Sequence, residues 1–238
     1  MQRSQLIQEL GSIRPYRIEG HVRRVQGSLL VCGGLNGLTR LGDVCLINQD
    51  RHNHDEHFVD LCEDRDALLA EVVALDQTGA RLLPFDELTG IGLGAKVVPL
   101  AGGNEVRPGP AWLGRVLDPL ARPLDDRPAP AWGDRAYALQ GRPVPAHRRR
   151  DFGPRLDLGV RALNLFTPCC RGQRMGIFAG SGVGKTTLLA MLARHSNADA
   201  LVLGLIGERG REVNAFIRDG LGQQGLERSV VVVATKLT

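Results

Sequence analysis

The spacing of apolar positions changes three times along the chain, and each regime predicts a different kind of structure. In MQRSQLIQEL, residues 1–10, Leu6, Ile7 and Leu10 fall on one side of a short amphipathic helix that Gly11 and Pro15 bring to an end. From Tyr16 to about Pro99 the apolar residues come in short runs broken by Gly, Asn and Asp: YRIEGHVRRV, SLLVCGGL, DVCLIN, HFVDLCE, LLAEVVALD, ARLLPF and AKVVPL. Several runs alternate apolar with polar residues, and turn residues recur at strand-like intervals. A small β-barrel or sandwich is expected. Residues 99–168 hold 11 of the 13 prolines, which favours turns and extended connections over long helices, and the domain boundary is expected near Leu100.

The third regime begins at Arg171. Met175–Ala179 reads as a short apolar strand, Gly180–Gly184 as a glycine-rich loop and Lys185–His195 as a helix. Leu201–Ile206 reads as a second strand, Arg211–Asp219 as a second helix and Ser229–Ala234 as a third, strongly apolar strand. Continuous apolar strands separated by helices indicate a parallel sheet covered on both faces. The expected fold is therefore α+β and multidomain, with an N-terminal segment (residues 1–20), a small β-barrel (21–99) and an α/β domain (100–238).

Composition narrows the class. With 238 residues and 43% hydrophobic content the chain can bury a core in one large or two modest domains and is not a disordered sequence. No apolar run approaches the ~18 residues of a membrane helix, and the N-terminus lacks the hydrophobic stretch of a secretory signal. Thirty Lys and Arg against 26 Asp and Glu give a net charge of +4, too mild to mark a nucleic-acid binder on charge alone. Five cysteines at irregular spacing do not form a disulfide framework. The expectation is a soluble protein of a reducing compartment.

AGSGVGKTT, Ala179 to Thr187, carries the most specific chemistry. Against the pattern G-x-x-x-x-G-K-[ST], Ala179 occupies the first position, while Gly184, Lys185 and Thr186 fit the rest. Gly180 and Gly182 still free the backbone, so that Gly180, Ser181, Gly182, Val183 and Gly184 can wrap a triphosphate with converging N–H groups. The following helix, starting with Lys185, Thr186 and Thr187, directs its N-terminal dipole at the anion. Lys185 would reach the β- and γ-phosphates and the Thr186 hydroxyl would bind Mg²⁺. An ordinary glycine-rich turn is the bland reading, and the strand–loop–helix context argues against it. In GLIGERGREV, Glu208 stands just past the carboxyl end of a strand, where it could polarise an attacking water. Arg209 could meet a phosphate oxygen and Glu212 could hold a metal-bound water. Taken alone, this segment reads as the charged start of a helix.

Together CCRGQRMGIFAGSGVGKTTLL, GLIGERGREV and RSVVVVAT resemble the ATPases of flagellar and type III protein export, relatives of the catalytic β subunit of rotary ATP synthase. LGRVLDPLARPLDD, Leu113 to Asp126, is similar to the family's approach to its nucleotide domain, and the wording around Asn164 and Cys169–Cys170 leans to the flagellar branch. The resemblance implies a RecA-like P-loop ATPase domain after the barrel, a homohexameric ring with ATP and Mg²⁺ at its interfaces, and a helical C-terminal domain. It also implies an export regulator bound to the N-terminal segment. Further partners are other export-apparatus proteins, unfolded export substrates or chaperones, with no nucleic acid and only peripheral association at the inner face of the membrane. By position, Lys185 and Thr186 take the phosphate and Mg²⁺ roles, Glu208 that of catalytic base and Arg209 that of phosphate contact.

The family's Walker-B aspartate, adenine-stacking aromatic, arginine finger and C-terminal helices have no counterpart in these residues, so the ATPase domain is expected to be incomplete. It should expose an apolar sheet edge and face and hydrolyse ATP poorly by itself. Weaker signals read blandly. RHNHDEHF sets His52, His54 and His57 beside Asp55 and Glu56, a spacing able to hold Zn²⁺ that reads better as a solvated hairpin loop. Cys169 and Cys170 read as packing beneath the P-loop strand, and Arg148–Arg150 as a solvated linker. Three further functions stay open: an RNA translocase of the termination type, a non-catalytic product that binds the regulator, and proton-driven ATP synthesis. The first is disfavoured because residues 1–100 offer only Tyr16, Phe58 and Phe85 as stacking platforms.

Overall fold

A strand that buries every second side chain still needs hydrogen-bonding partners on both edges, and the first six strands obtain them by closing on themselves. The computed structural model describes residues 18–48, 68–100, 103–141, 143–180 and 182–234. The helix expected over residues 1–10 and the His52, His54 and His57 loop lie outside these. β1 (Gly20–Gln26), β2 (Leu29–Gly33), β3 (Val44–Ile47), β4 (Leu68–Asp76), β5 (Gly79–Pro84) and β6 (Lys96–Pro99) form a closed antiparallel barrel in the order β1-β2-β5-β4-β3-β6. They fall in six of the seven apolar runs read from the sequence; the seventh, HFVDLCE, lies outside the described residues. Val22, Leu30, Cys32, Ile47, Val72, Leu82 and Val97 fill the interior. Register shifts between Val22 and Arg24 and between Val72 and Ala74 mark bulges, which add the twist that closure needs. Burial pushes the Cys32 and Cys45 thiols up to about 12, so both serve as packing groups rather than nucleophiles.

By contacts, the chain divides into Met1–Glu105 with Ala138–Gln140, and Val106–Tyr137 with Gly141–Thr238. Four two-residue strands form two ribbons: β7 (Glu105–Val106) with β9 (Tyr137–Ala138), and β10 (Arg155–Leu156) with β11 (Cys169–Cys170). The second unit is built on a parallel sheet in the order β12-β13-β8, comprising β8 (Arg115–Leu117), β12 (Leu201–Ile206) and β13 (Ser229–Ala234). Its helices are α1 (Arg161–Phe166), α2 (Lys185–His195), α3 (Gly210–Ala215) and α4 (Gly222–Glu227), with a π-helical turn over Phe216–Leu221. Ala190, Ala193, Val213, Phe216 and Leu221 of the helical layer pack on Val116, Val231 and Val233 of the sheet.

Four sequence expectations change here. Met175–Ala179 is not a strand: no ladder partner pairs with it among the described residues, and Phe178 in it is 97% exposed. An apolar run becomes a strand only when a neighbour completes its hydrogen bonds. The sheet is covered by helices on one face and only in part on the other. Opposite the helices, Trp112, Leu117 and Ala121 cover the β8 side with Val106 and Val230, but Val202 and Ile206 on β12 are each 78% exposed. The helix expected over Arg211–Asp219 runs on through the π turn to Leu221, and a separate short helix, Gly222–Glu227, follows. Finally, β8 emerges from the proline-rich stretch, for which turns and extended connections were expected in place of long helices and no strand was named. Cys169 is buried and Cys170 half-buried on β11, and Arg148–Arg150 are exposed.

A charged knot fixes β8. Arg115 Nε and Nη2 donate to the two carboxylate oxygens of Asp125 at 2.7 and 2.9 Å, with side chains only 8% and 12% exposed. The Val116 N–H and Arg127 also donate to Asp125, at 3.2 and 2.9 Å, and Arg115 reaches the Pro128 carbonyl at 2.7 Å. Burial alone would raise the Asp125 pKa, but the hydrogen bonds from Arg115, Val116 and Arg127 outweigh it and hold the carboxyl far below the usual carboxylate range. A depressed folded-state pKa gives stability that is complete above the unfolded value of about 4 and is lost as pH falls toward the folded one. Asp125→Asn, which strands Arg115 without its counter-charge, should cost about 3–5 kcal/mol at neutral pH. In urea titrations from neutral pH to pH 3 it should also flatten the acid limb of the stability curve.

Candidate nucleotide-binding site

The glycine-rich loop owes its shape to backbone conformation. Gly182 and Gly184 sit at φ 77° and 100°, in the left-handed region, and a Cβ at either would meet no protein atom within 4 Å. Glycine is needed there for its φ and not for space. Gly184 is also the N-cap of α2 and gives no side-chain cap, so the first N–H groups of the helix have no internal acceptor. No acid stands in the first turn, and Arg194 and His195 occupy the last, the charge arrangement that complements the helix dipole. Gly180, Gly182, Val183, Gly184, Lys185, Thr186 and Thr187 are all exposed; Ser181 lies outside the described residues. Backbone donors, one ammonium and two hydroxyls without a competing carboxylate make a donor set that fits a polyphosphate.

Glu208, Arg209 and Glu212 stand on the turn after β12. Gly207, at φ 72°, reverses the chain, and its N–H donates to the Ala234 carbonyl of β13 at 2.7 Å. Glu208 comes next, half-buried at the carboxyl end of a parallel strand. Arg209 caps α3 through its backbone, its carbonyl accepting from the Glu212 and Val213 N–H groups at 2.8 and 3.0 Å. Glu212 is the acidic residue of that first turn and is exposed. Thus the structure brings Lys185, Thr186 and Thr187 together on one helix start and Glu208, Arg209 and Glu212 together on one turn. Both elements are anchored in the core that joins Ala190 and Ala193 to Val213 and Phe216.

Among the described residues no group of three or more His, Cys, Asp or Glu could hold a metal alone. A hydroxyl at Thr186 and a carboxylate at Glu212 instead fit Mg²⁺, an ion that keeps several waters and takes its other oxygens from phosphates. Sequence reasoning missed Arg194 and the π turn. The available signal was Gly220, Gly222 and Gly225, three glycines in a run otherwise patterned as helix.

Comparison with known proteins places these features. Residues 159–237 match the nucleotide-binding domain of the ATP synthase alpha/beta family. Over 97% of its length the chain is 46% identical to the "Flagellum-specific ATP synthase" of Caulobacter vibrioides and 41% identical to the "Type 3 secretion system ATPase" of Xanthomonas euvesicatoria, covering 49% of each. The assembled ATPase EscN of the enteropathogenic E. coli type III secretion system aligns over 91% of this chain and 48% of its own, at 34% identity and a TM-score of 0.71. The same ATPase in complex with its central stalk EscO gives a TM-score of 0.75. The chain spans about half the length of the curated relatives it matches. Over that half, in its barrel, its phosphate loop and the turn after β12, it belongs to the family of flagellar and type III secretion ATPases.

Proposed function

We propose that this chain is the ATP-binding and hydrolysing part of a flagellar protein export ATPase. The observation that carries the proposal is the loop at Gly182 and Gly184, left-handed at both glycines and leading straight into a helix that begins with Lys185 and Thr186. The backbone N–H groups of the loop hold the phosphate chain, and the Lys185 ammonium neutralises charge on its terminal oxygens. Thr186 and Glu212 would hold Mg²⁺, which when bound would offset the negative charge that develops on the phosphate oxygens. Glu208 takes the proton of the attacking water on its carboxylate, and Arg209 contacts a phosphate oxygen.

Residues 1–20 bind an export regulator, 21–99 form the barrel domain and 100–238 supply the nucleotide domain. The working assembly is a homohexamer in the cytoplasm, peripheral at the inner face of the membrane, which couples hydrolysis to release and unfolding of export substrates or of their chaperone complexes. Among the described residues no helix is long and apolar enough to cross a membrane. The export reading is preferred to an RNA translocase because the relatives of known function are named for flagella and type III secretion.

Two results test this. Lys185→Ala should weaken MgATP binding by about 10–100-fold in a fluorescence titration, the worth of a charge-assisted contact to phosphate; unchanged affinity overturns the assignment of the loop. Glu208→Gln should leave that affinity in place and slow single-turnover hydrolysis of labelled ATP by about 10²–10⁴-fold, the share of a general base. The 238-residue chain alone is expected to turn over slowly even with Glu208 intact, since a neighbouring subunit's arginine contributes ~10³–10⁵ in related NTPases.

A further inference from the structure

The helical segment that carries Glu212 is interrupted. Gly210–Ala215 and Gly222–Glu227 are α-helical, and Phe216–Leu221 between them form a π turn, in which the Gly222 N–H donates to the Ile217 carbonyl five residues back. Gly222 sits at φ 62° and ψ −179°, a region open in practice only to glycine. Those angles are not helical, so Gly222 separates α4 from what precedes it, and residues 210–221 are one continuous helical piece that widens to a π turn at its carboxyl end. α4 is tied to β13: Ser229 Oγ donates to the Gly225 carbonyl at 2.6 Å, and Leu226 packs in the sheet's core. With α4 held, the π turn at the carboxyl end of that piece sets the angle of α3 and of Glu212 in its first turn.

Arg194 braces this turn from another element. Near the carboxyl end of α2, its Nη2 donates to the Asp219 carbonyl at 2.8 Å and its Nε to the Leu221 carbonyl at 3.1 Å. Gly220 lets the two elements approach, since a Cβ there would stand 3.3 Å from Ala190 Cβ and 3.3 Å from Phe216 Cδ2. The arginine thus joins the helix whose first turn carries Lys185 and Thr186 to the turn that sets the angle of Glu212.

We propose that Arg194 is a positioning residue. By donating to the Asp219 and Leu221 carbonyls it fixes the π turn, and with it the rotation of α3 that aims Glu212 toward the Mg²⁺ of a nucleotide on the phosphate loop. This rests on the proposed roles of Lys185, Thr186 and Glu212. Replacing the guanidinium releases the π turn and lets α3 turn Glu212 away, while the phosphate loop, at the other end of α2, keeps its shape.

The test titrates a fluorescent N-methylanthraniloyl-ATP with and without Mg²⁺. Arg194→Gln should lose most of the affinity that Mg²⁺ adds, up to about tenfold, and keep Mg²⁺-free affinity within about twofold of the parent. Glu212→Gln should lose the same increment, and the double variant no more than either. Hydrogen exchange should show lost protection over residues 216–222 in Arg194→Gln but not in Glu212→Gln. Arg194→Lys, with a single donor group to share between the carbonyls, should fall between, and it decides the matter if Arg194→Gln lacks a cooperative melt. Equal losses with and without Mg²⁺, or single effects that multiply in the double variant, overturn the proposal. If Lys185→Ala binds the probe like the parent, the phosphate-loop reading itself fails, a result separate from these.

Discussion

β13 is the strand on which the second unit depends. It is bonded along both edges, in register with Leu201–Ile206 on one side and with Arg115–Leu117 on the other. A central strand must satisfy the donors and acceptors of both edges inside a core, so displacing it costs two ladders at once. Its buried side chains, Val231 and Val233, receive the helices, while Ser229 at its start accepts the Gly114 N–H at 2.8 Å through its carbonyl. At its far end the Ala234 carbonyl accepts the Gly207 N–H. That bond sets where β12 stops and the chain turns, and hence where Glu208 stands. The carboxylates of the site are placed by a strand that contributes no chemistry of its own.

How much of this was legible in the sequence depends on how local each determinant is. The barrel could be read because interior and exterior alternate with a period of two, a pattern present within each strand. The phosphate loop could be read because its glycines answer to local φ values at residues 182 and 184. Met175–Ala179 misled because an apolar run looks the same with or without a ladder partner. β8 was hidden for the opposite reason: three residues among prolines become a strand through Asp125 and through a partner more than a hundred residues away. The π turn likewise depends on Arg194 reaching across from α2, a contact no window of sequence contains.

The unequal covering of the sheet separates two kinds of apolar residue that composition cannot tell apart. Leu201, Leu203 and Leu205 face the helices and pack against Val231 and Val233, whereas Val202 and Ile206 on the same strand lie open beside an edge that holds no further strand among the described residues. An apolar edge and face of this kind favour association through added strands. The barrel, closed and with its core inside, presents no such edge.

The pairing of β8 with β13 has a consequence for synthesis. Arg115 lies opposite Val230, so during translation the first strand of this sheet leaves the ribosome more than a hundred residues before its ladder partner exists. At typical elongation rates of roughly 5–20 residues per second, that interval lasts on the order of 10 s. The barrel strands, made earlier and paired within the first hundred residues, can close in that time. Through the wait the Arg115–Asp125 pair, spanning ten residues, can already hold the chain that follows β8 against it. A nascent chain with Asp125 replaced would enter that interval with β8 unbraced, and its loss would register as lower yield at the ribosome before any change in the finished protein could be measured.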